Sequence, residues 1–318
     1  MHICRICNGE ISETYMVKEM LIGLRESFQY IKCGACGCLQ IAETPINLSK
    51  YYPDDYYSLQ PSKRKKSRIV RDYIRKSVAL FNIRRKGVFG SILSFFRTPN
   101  PMHLVYRRVG LKLSDRILDV GGGAGEHVFS LLNIGFKNVM SVDPFILEDV
   151  FFENVLIAKK ASFYDIHEKY DLVTFHHSLE HMPDQAKVLA KAAELIAQGG
   201  RILIRIPTVT SAAWKEYKEN WVNLDAPRHF YLHSHASIRI LAEKANLKVL
   251  DFWNDSVSMQ FWGSEQYLRD IPLTDPRSYS KDKNSSIFSS HQIADYKRRA
   301  SFLNTQERGD WICIVLCK

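Results

Sequence analysis

The chain has 318 residues, 46% hydrophobic and 25% charged, with a formal net charge of +10 and a sequence pI of about 9.2. That length and composition suit a full α/β core plus a small extra module. No run of eighteen apolar residues occurs, and Met1-His2-Ile3-Cys4 lacks a basic-then-apolar signal, so a cytoplasmic location is expected. Five of the seven cysteines crowd the first forty residues, which argues against the disulfide framework of a secreted protein.

Cys4-x-x-Cys7 and Cys33-x-x-Cys36 form two thiolate knuckles, each with a glycine soon after, a pattern that suits tetrahedral zinc at about 2.3 Å per sulfur. Between them Thr14–Val17 and Phe28–Lys32 alternate as strands of a zinc ribbon over residues 1–48. A unit this small builds too little core, so the metal would supply folding free energy on the order of 10–16 kcal/mol. Cys38 is a fifth thiol, read as a spare beside the site; Cys313 and Cys317 share one face of the last apolar strand and read as packing.

Residues 49–100 read as a basic, partly helical linker. It opens on the aromatic Tyr51-Tyr52-Pro53-Asp54-Asp55-Tyr56-Tyr57 and continues into a basic run from Lys63 to Lys76. Arg71, Arg75, Arg84 and Arg85 interleave with Ile69, Val70, Tyr73, Ile74, Val78 and Phe81 at helical spacing. The helix supplies much of the net charge. Three readings stay open for it: a solvated face, a surface for an anionic lipid-linked or phosphorylated substrate with peripheral membrane contact through residues 63–86, or RNA contact.

From about Pro101 to Lys318 strand and helix patterns alternate, which predicts a mostly parallel sheet covered by helices. The strand Arg116–Val120 runs into Gly121-Gly122-Gly123-Ala124-Gly125 and then a helix, a nucleotide-binding turn in which main-chain N–H groups approach a ligand at a helix N-terminus. A second strand, Asn138–Val142, ends at Asp143, where such folds place a carboxylate on ribose hydroxyls. The loop spells Asp-x-Gly-x-Gly-x-Gly rather than the dinucleotide G-x-G-x-x-G. This tighter, acid-led loop resembles the class I S-adenosylmethionine-dependent methyltransferases. The resemblance implies a Rossmann-like, seven-stranded sheet whose last strand, Trp311–Leu316, is antiparallel. It further implies S-adenosylmethionine on Asp119, Gly121, Gly122, Gly123 and Gly125, its ribose on Asp143, and its adenine beside Ser162 and Phe163. Tyr170 to His181 then looks like the family's fourth strand and "LEH" turn, with His177 joining the cofactor contacts.

His177-Ser178-Leu179-Glu180-His181 also spells the inverted metalloprotease motif H-x-x-E-H, but that motif needs an unbroken helix and here Pro183 follows a strand-like run. The segment resembles as well the E-x-x-E-H cluster of divalent-cation-dependent O-methyltransferases. That implies Mg2+ with a further histidine, His229 or His233, although His177 replaces the first carboxylate. For a hydroxyl or carbon acceptor, His181 and His229 are the candidate bases and Arg228 the holder of an acceptor phosphate or carboxylate. Asp184 is expected to cap a helix through Ala197, with a strand from Arg201 to Ile206 and a helix over 234–245 after it. Insertions at about 207–233 and 254–310 interrupt the methyltransferase domain of residues 101–318. The first carries Trp214, Tyr217 and Trp221, expected at the mouth of the site.

A zinc ribbon ahead of this core is similar to bacterial sugar C-methyltransferases, and the two insertions look like methyltransferases of surface-polysaccharide synthesis. The acceptor implied is a sugar, a nucleotide-sugar or a lipid-linked glycan. A ribosomal-RNA methyltransferase is the alternative, weakened by the lack of Asn-Pro-Pro-aromatic and Pro-Cys motifs; a non-catalytic zinc-dependent binding module is the third reading.

Overall fold

The computed structural model describes residues 3–53, 58–60, 69–95 and 100–318. Tyr56, Tyr57 and the basic residues from Lys63 to Arg68 therefore lie outside the described residues. In chain order the strands and helices are β1 (Ile11–Lys18), β2 (Ser27–Cys33), β3 (Leu39–Ile41), α1 (Ile69–Arg84), α2 (Val88–Phe95), α3 (Pro101–Val109), β4 (Ile117–Val120), α4 (Glu126–Ile134) and β5 (Val139–Val142). There follow β6 (Val150–Phe152), β7 (Val155–Lys159), β8 (Tyr170–His176), α5 (Gln185–Leu195), β9 (Ile196–Pro207), α6 (Ala212–Tyr217) and β10 (Tyr231–Leu232). The chain closes with α7 (His235–Lys244), β11 (Lys248–Asn254), α8 (Met259–Leu268), α9 (Ser290–Thr305) and β12 (Trp311–Cys317).

The larger sheet is ordered β11-β12-β9-β8-β4-β5-β7-β6. It has eight strands, not the seven expected. The extra one is β6, which pairs antiparallel with β7 through a two-residue turn at Glu153 and Asn154, both at positive φ as a tight hairpin requires. β4 pairs in parallel with both β5 and β8, and β5 with β7. β4 is buried throughout, so its carboxyl end delivers the glycine loop from a rigid strand. The helix expected to run through Ala197 ends at Leu195, because Ile196 to Gly200 already extend β9, with Gly199 at φ 72°. α7 lies as expected, with a reciprocal capping box between Ser234 and Ser237 at its start.

The smaller sheet is ordered β1-β2-β3-β10 and antiparallel at each pairing. Along β1 Tyr15 and Val17 are buried while Thr14 and Met16 face outward, the period-two pattern of a half-buried strand. Its last strand comes from the segment after β9, 190 residues downstream of β3. Two compact units result. One comprises Met1–Asp54, His177–Ala190 and Ile204–Leu316; the other comprises Asp55–His176, Lys191–Leu203 and Cys317–Lys318. The long insertion before β12 folds as α8 and α9, and Gly263 of α8 sits so close to Val222 that a Cβ would stand 2.7 Å from its side chain.

Candidate functional site

In the second unit, the loop after β4 has Gly121, Gly123 and Gly125 at φ 71°, 54° and 82°. Space demands glycine at Gly122 and Gly123, and at Gly123 the angle does too. A Cβ on Gly122 would fall 2.3 Å from Asp119 Oδ2, and one on Gly123 would fall 2.0 Å from the Ser58 carbonyl oxygen. That carbonyl also accepts the Ala124 N–H at 2.9 Å, so Ser58 lies on the loop. Asp143, at the end of β5, accepts the Gly123 N–H on Oδ2 at 3.0 Å and the Phe145 N–H on Oδ1 at 2.9 Å. These bonds orient the Asp143 carboxylate at the edge of the loop. Asp119 is fully buried; Thr174 Oγ1 donates to its Oδ1 at 2.7 Å, and burial pushes its pKa up to about 7. Ser162 caps a short turn by accepting the Tyr164 N–H, and the buried Phe163 ring meets Phe175 edge-on at 5.9 Å.

The first unit holds a different cluster. Glu180 is 0% exposed, and its two side-chain oxygens accept no well-formed hydrogen bond among the described residues. Three histidines face it. His177 Nδ1 is 3.4 Å and His229 Nε2 4.0 Å from Glu180 Oε1. One ring nitrogen each of His181 and His229 lies with a Glu180 oxygen in a group whose members are all within 4.8 Å of one another. The tautomers follow from the partners. His181 Nδ1 lies 2.9 Å from the Arg228 carbonyl and His229 Nδ1 2.8 Å from the Asn223 carbonyl; a carbonyl only accepts, so each Nδ1 carries a proton. Each Nε2 is then a lone pair in the neutral ring. His177 is fixed oppositely: the Arg205 guanidinium donates to its Nε2 at 2.7 Å, which leaves the Nδ1–H on the side of Glu180. Burial alone would raise the Glu180 pKa, but the His177 N–H and the positive charge that the three imidazoles carry when protonated bring it below the usual carboxylate value. Burial and the neighbouring His229 lower that of His181.

Four groups singled out in the sequence are placed as follows. Arg228 does not present itself to an acceptor. It is 0% exposed and its guanidinium is engaged by Asp225 at 2.7 Å, Glu19 at 2.8 Å and the Tyr51 carbonyl at 3.0 Å. Glu19 in turn accepts the main-chain N–H groups of Leu21, Ile22, Gly23 and Leu24, which makes Arg228 an internal anchor between two loops. Trp214, Tyr217 and Trp221 are core residues rather than the rim of a mouth, being 2%, 5% and 0% exposed. His177, expected on the cofactor, has its ring nitrogens turned to Arg205 and Glu180, and its ring lies 4.7 Å from Trp311. His233 stands apart from the cluster, bonded to Ser237 and Gln185. Glu180 enters the sequence reading only as part of the "LEH" turn and of the segment resembling E-x-x-E-H, and is not among the candidate site residues there. Tyr52, in the sequence merely part of an aromatic connection, brings its hydroxyl to 3.3 Å from His181 Nδ1.

Burial pushes His233 down to about 4. A histidine held neutral contributes stability that is complete above its ordinary pKa of about 6.5 and is lost as pH falls toward the folded value. The stability advantage of wild type over His233→Gln, measured by urea denaturation, is expected to shrink by about 3 kcal/mol between about pH 7 and about pH 4.

In the ribbon, Cys4 Sγ lies 3.6 Å from Cys36 Sγ and Cys7 Sγ 3.4 Å from Cys33 Sγ, and all four sulfurs fall within 4.8 Å of one another. Tetrahedral thiolates at about 2.3 Å from zinc stand about 3.8 Å apart, whereas a disulfide would bring two sulfurs to about 2.05 Å. The Ile6 and Cys36 N–H groups point at Cys4 and Cys33 sulfurs at 3.4 Å each. Cys38 is buried and donates toward the Leu39 carbonyl.

The sequence profile of the methyltransferase domain family matches residues 89–251, just over half of the chain. The chain belongs to this family. It is an S-adenosylmethionine-dependent methyltransferase. Among solved structures, this methyltransferase is similar to an S-adenosylmethionine-dependent methyltransferase from Archaeoglobus fulgidus, at 19% identity and a TM-score of 0.42 over 69% of this chain and 92% of that one. It is also similar to a cyclopropane synthase from Mycobacterium tuberculosis, at 12% identity and a TM-score of 0.43, covering 85% and 93%. A coclaurine N-methyltransferase aligns at 15% identity and a TM-score of 0.43, covering 68% and 71%. None of the curated proteins compared matches the methyltransferase.

Proposed function

We propose that this methyltransferase moves a methyl group to an oxygen or carbon of a small-molecule acceptor, a sugar, nucleotide-sugar or lipid-linked glycan. The observation that carries the acceptor chemistry is the buried Glu180 carboxylate, which among the described residues has no well-formed hydrogen bond and lies in one cluster with His181 and with His229, whose Nε2 is 4.0 Å away. Such a carboxylate, held ionised, can stabilise an imidazolium that forms beside it. Nitrogen acceptors of ordinary amine basicity can lose their proton to water, whereas a hydroxyl or an activated C–H needs a base. The segment holding Glu180 and His181 begins immediately after the carboxyl end of β8, and ligands of open α/β sheets bind outside those ends.

On this reading Asp119 and Gly121 to Gly125 receive the methionine half of S-adenosylmethionine, Asp143 its ribose hydroxyls, and Ser162 and Phe163 flank the adenine. The cofactor supplies the electrophilic methyl, and alignment by the protein contributes on the order of 7–11 kcal/mol. His181 or His229 takes the acceptor proton on Nε2, and Glu180 stabilises the imidazolium that forms. The test is release of S-adenosylhomocysteine with nucleotide sugars and lipid-linked saccharides, set against ribosomal-RNA fragments. Turnover on saccharides supports the proposal; turnover on RNA alone overturns it.

The same donor set favours a second reading. A divalent cation such as Mg2+ would be held by Glu180, His181 and His229, each histidine fixed by the Nδ1–H to carbonyl bond that metal-bound histidines commonly make. Bound there, it would lower the pKa of an acceptor hydroxyl. Loss of activity in EDTA, restored by Mg2+ with zinc content unchanged, selects this reading.

We further propose structural zinc on Cys4, Cys7, Cys33 and Cys36, supported by sulfur spacings nearer to tetrahedral thiolates than to disulfides. Elemental analysis is expected to find about one zinc per chain. Chelation should unfold residues around the knuckles, seen as faster hydrogen exchange, with S-adenosylmethionine affinity largely kept. A metal-free protein with these cysteines in disulfides would contradict the assignment.

A further inference from the structure

Residues 63–86 contain eleven Lys or Arg against one Asp, so this segment alone accounts for the +10 of the whole chain. The remaining residues balance to zero, and the basic pI is the property of one local feature rather than of the surface at large.

The helix that follows the basic segment is turned the wrong way for a water-facing surface. A Cβ on Gly90 of α2 would lie 2.3 Å from the Ser77 carbonyl of α1, so α2 packs on α1 by its glycine. Its large side chains point outward. Val88 is 80%, Phe89 49% and Ile92 59% exposed. On α1 the exposed Tyr73 ring lies 6.0 Å from that of Phe89 and extends the apolar patch. Arg84, Arg85 and Lys86, all exposed, close α1 and lead into α2. A surface helix normally buries its apolar side chains against the core. Here apolar side chains and cations share one exposed tip. RNA would satisfy the cations and stack on Tyr73 and Phe89 but leave Val88 and Ile92 in water, whereas an anionic bilayer satisfies all of them: the apolar groups enter the boundary between headgroups and acyl chains, and the cations lie among phosphates. Among the described residues no helix is long and apolar enough to cross a membrane, and α2 has eight residues, so the contact is in the plane of the surface.

We propose that α1 and α2 form an interfacial anchor that docks this methyltransferase on an anionic phospholipid bilayer. The anchor goes beyond the methyl-transfer reading and does not depend on which acceptor is used. Each basic residue near such a surface strengthens partitioning roughly five-fold. Binding should therefore be steep in charge and salt.

The test is co-sedimentation of the full chain with vesicles of phosphatidylcholine alone or of equimolar phosphatidylcholine and phosphatidylglycerol, at about 0.15 M salt. The wild-type protein is expected to pellet with the anionic vesicles and stay in solution with the neutral ones. The double variant Phe89→Ser, Ile92→Ser should lose at least about ten-fold in partitioning to anionic vesicles. The triple variant Arg84→Glu, Arg85→Glu, Lys86→Glu should lose more, and both should keep the wild-type melting temperature and S-adenosylmethionine affinity. No pelleting of wild type with anionic vesicles overturns the proposal. So does unchanged pelleting in the Phe89→Ser, Ile92→Ser variant, which would leave charge alone as the cause, and so does displacement of the protein from vesicles by ribosomal-RNA fragments but not by a polyanion such as heparin, which would assign the surface to RNA.

Discussion

His229→Ala is expected to lower turnover by about 10²–10⁴-fold, the range for loss of a general base, while leaving S-adenosylmethionine affinity within about two-fold. The ring is held in the orientation a base needs, since its Nδ1–H is tied to the Asn223 carbonyl, which turns the basic Nε2 toward Glu180. Glu180→Gln should approach the same loss, because it keeps the shape and removes the charge that the imidazoles surround. The pH profile distinguishes the parts. The depressed pKa of Glu180 keeps it ionised through the neutral range, so an acid-side limb in kcat should follow histidine protonation rather than that of a carboxyl group. Steady-state kinetics on both variants check this; near-wild-type turnover in His229→Ala would move the base to His181.

Asp143→Ala is expected to weaken S-adenosylmethionine binding by about 10–150-fold with the fold intact, corresponding to about 1.5–3 kcal/mol for charge-assisted hydrogen bonds to the ribose. Part of the loss comes from within the protein. Asp143 also accepts the Gly123 N–H and so holds the glycine loop in shape. Gly123→Val should be more damaging, since φ 54° strains a β-branched residue and its Cβ would collide with the Ser58 carbonyl. Circular dichroism separates loss of binding from loss of fold.

The glycine loop, Asp143 and the four thiolates are legible in the sequence because each is a local pattern: a few residues, one turn, one strand end. β6 is not, because the three residues Val-Phe-Phe carry no period, and only the positive φ of Glu153 and Asn154 makes a hairpin of them. Arg228 misleads for a different reason. An arginine beside a histidine after a strand looks available, and nothing local announces that Glu19, over two hundred residues upstream, takes its guanidinium. The tryptophans of the 207–233 insertion mislead in the same way: their partners are α8 and Asp310, from the other end of the chain. Glu180 stands in plain view, but its burial beside three imidazoles, with no well-formed hydrogen bond among the described residues, is a property of three-dimensional packing. The pairing of β10 with β3 is equally hidden, a two-residue strand joining segments 190 residues apart.

A calorimetric titration of the purified full chain with S-adenosylmethionine, run beside Asp143→Ala, tests the central claim most directly. Saturable binding at one site per chain, weakened at least ten-fold in the variant, is the result expected from the loop geometry. No binding by a folded wild-type protein, or equal affinity in both, would contradict it.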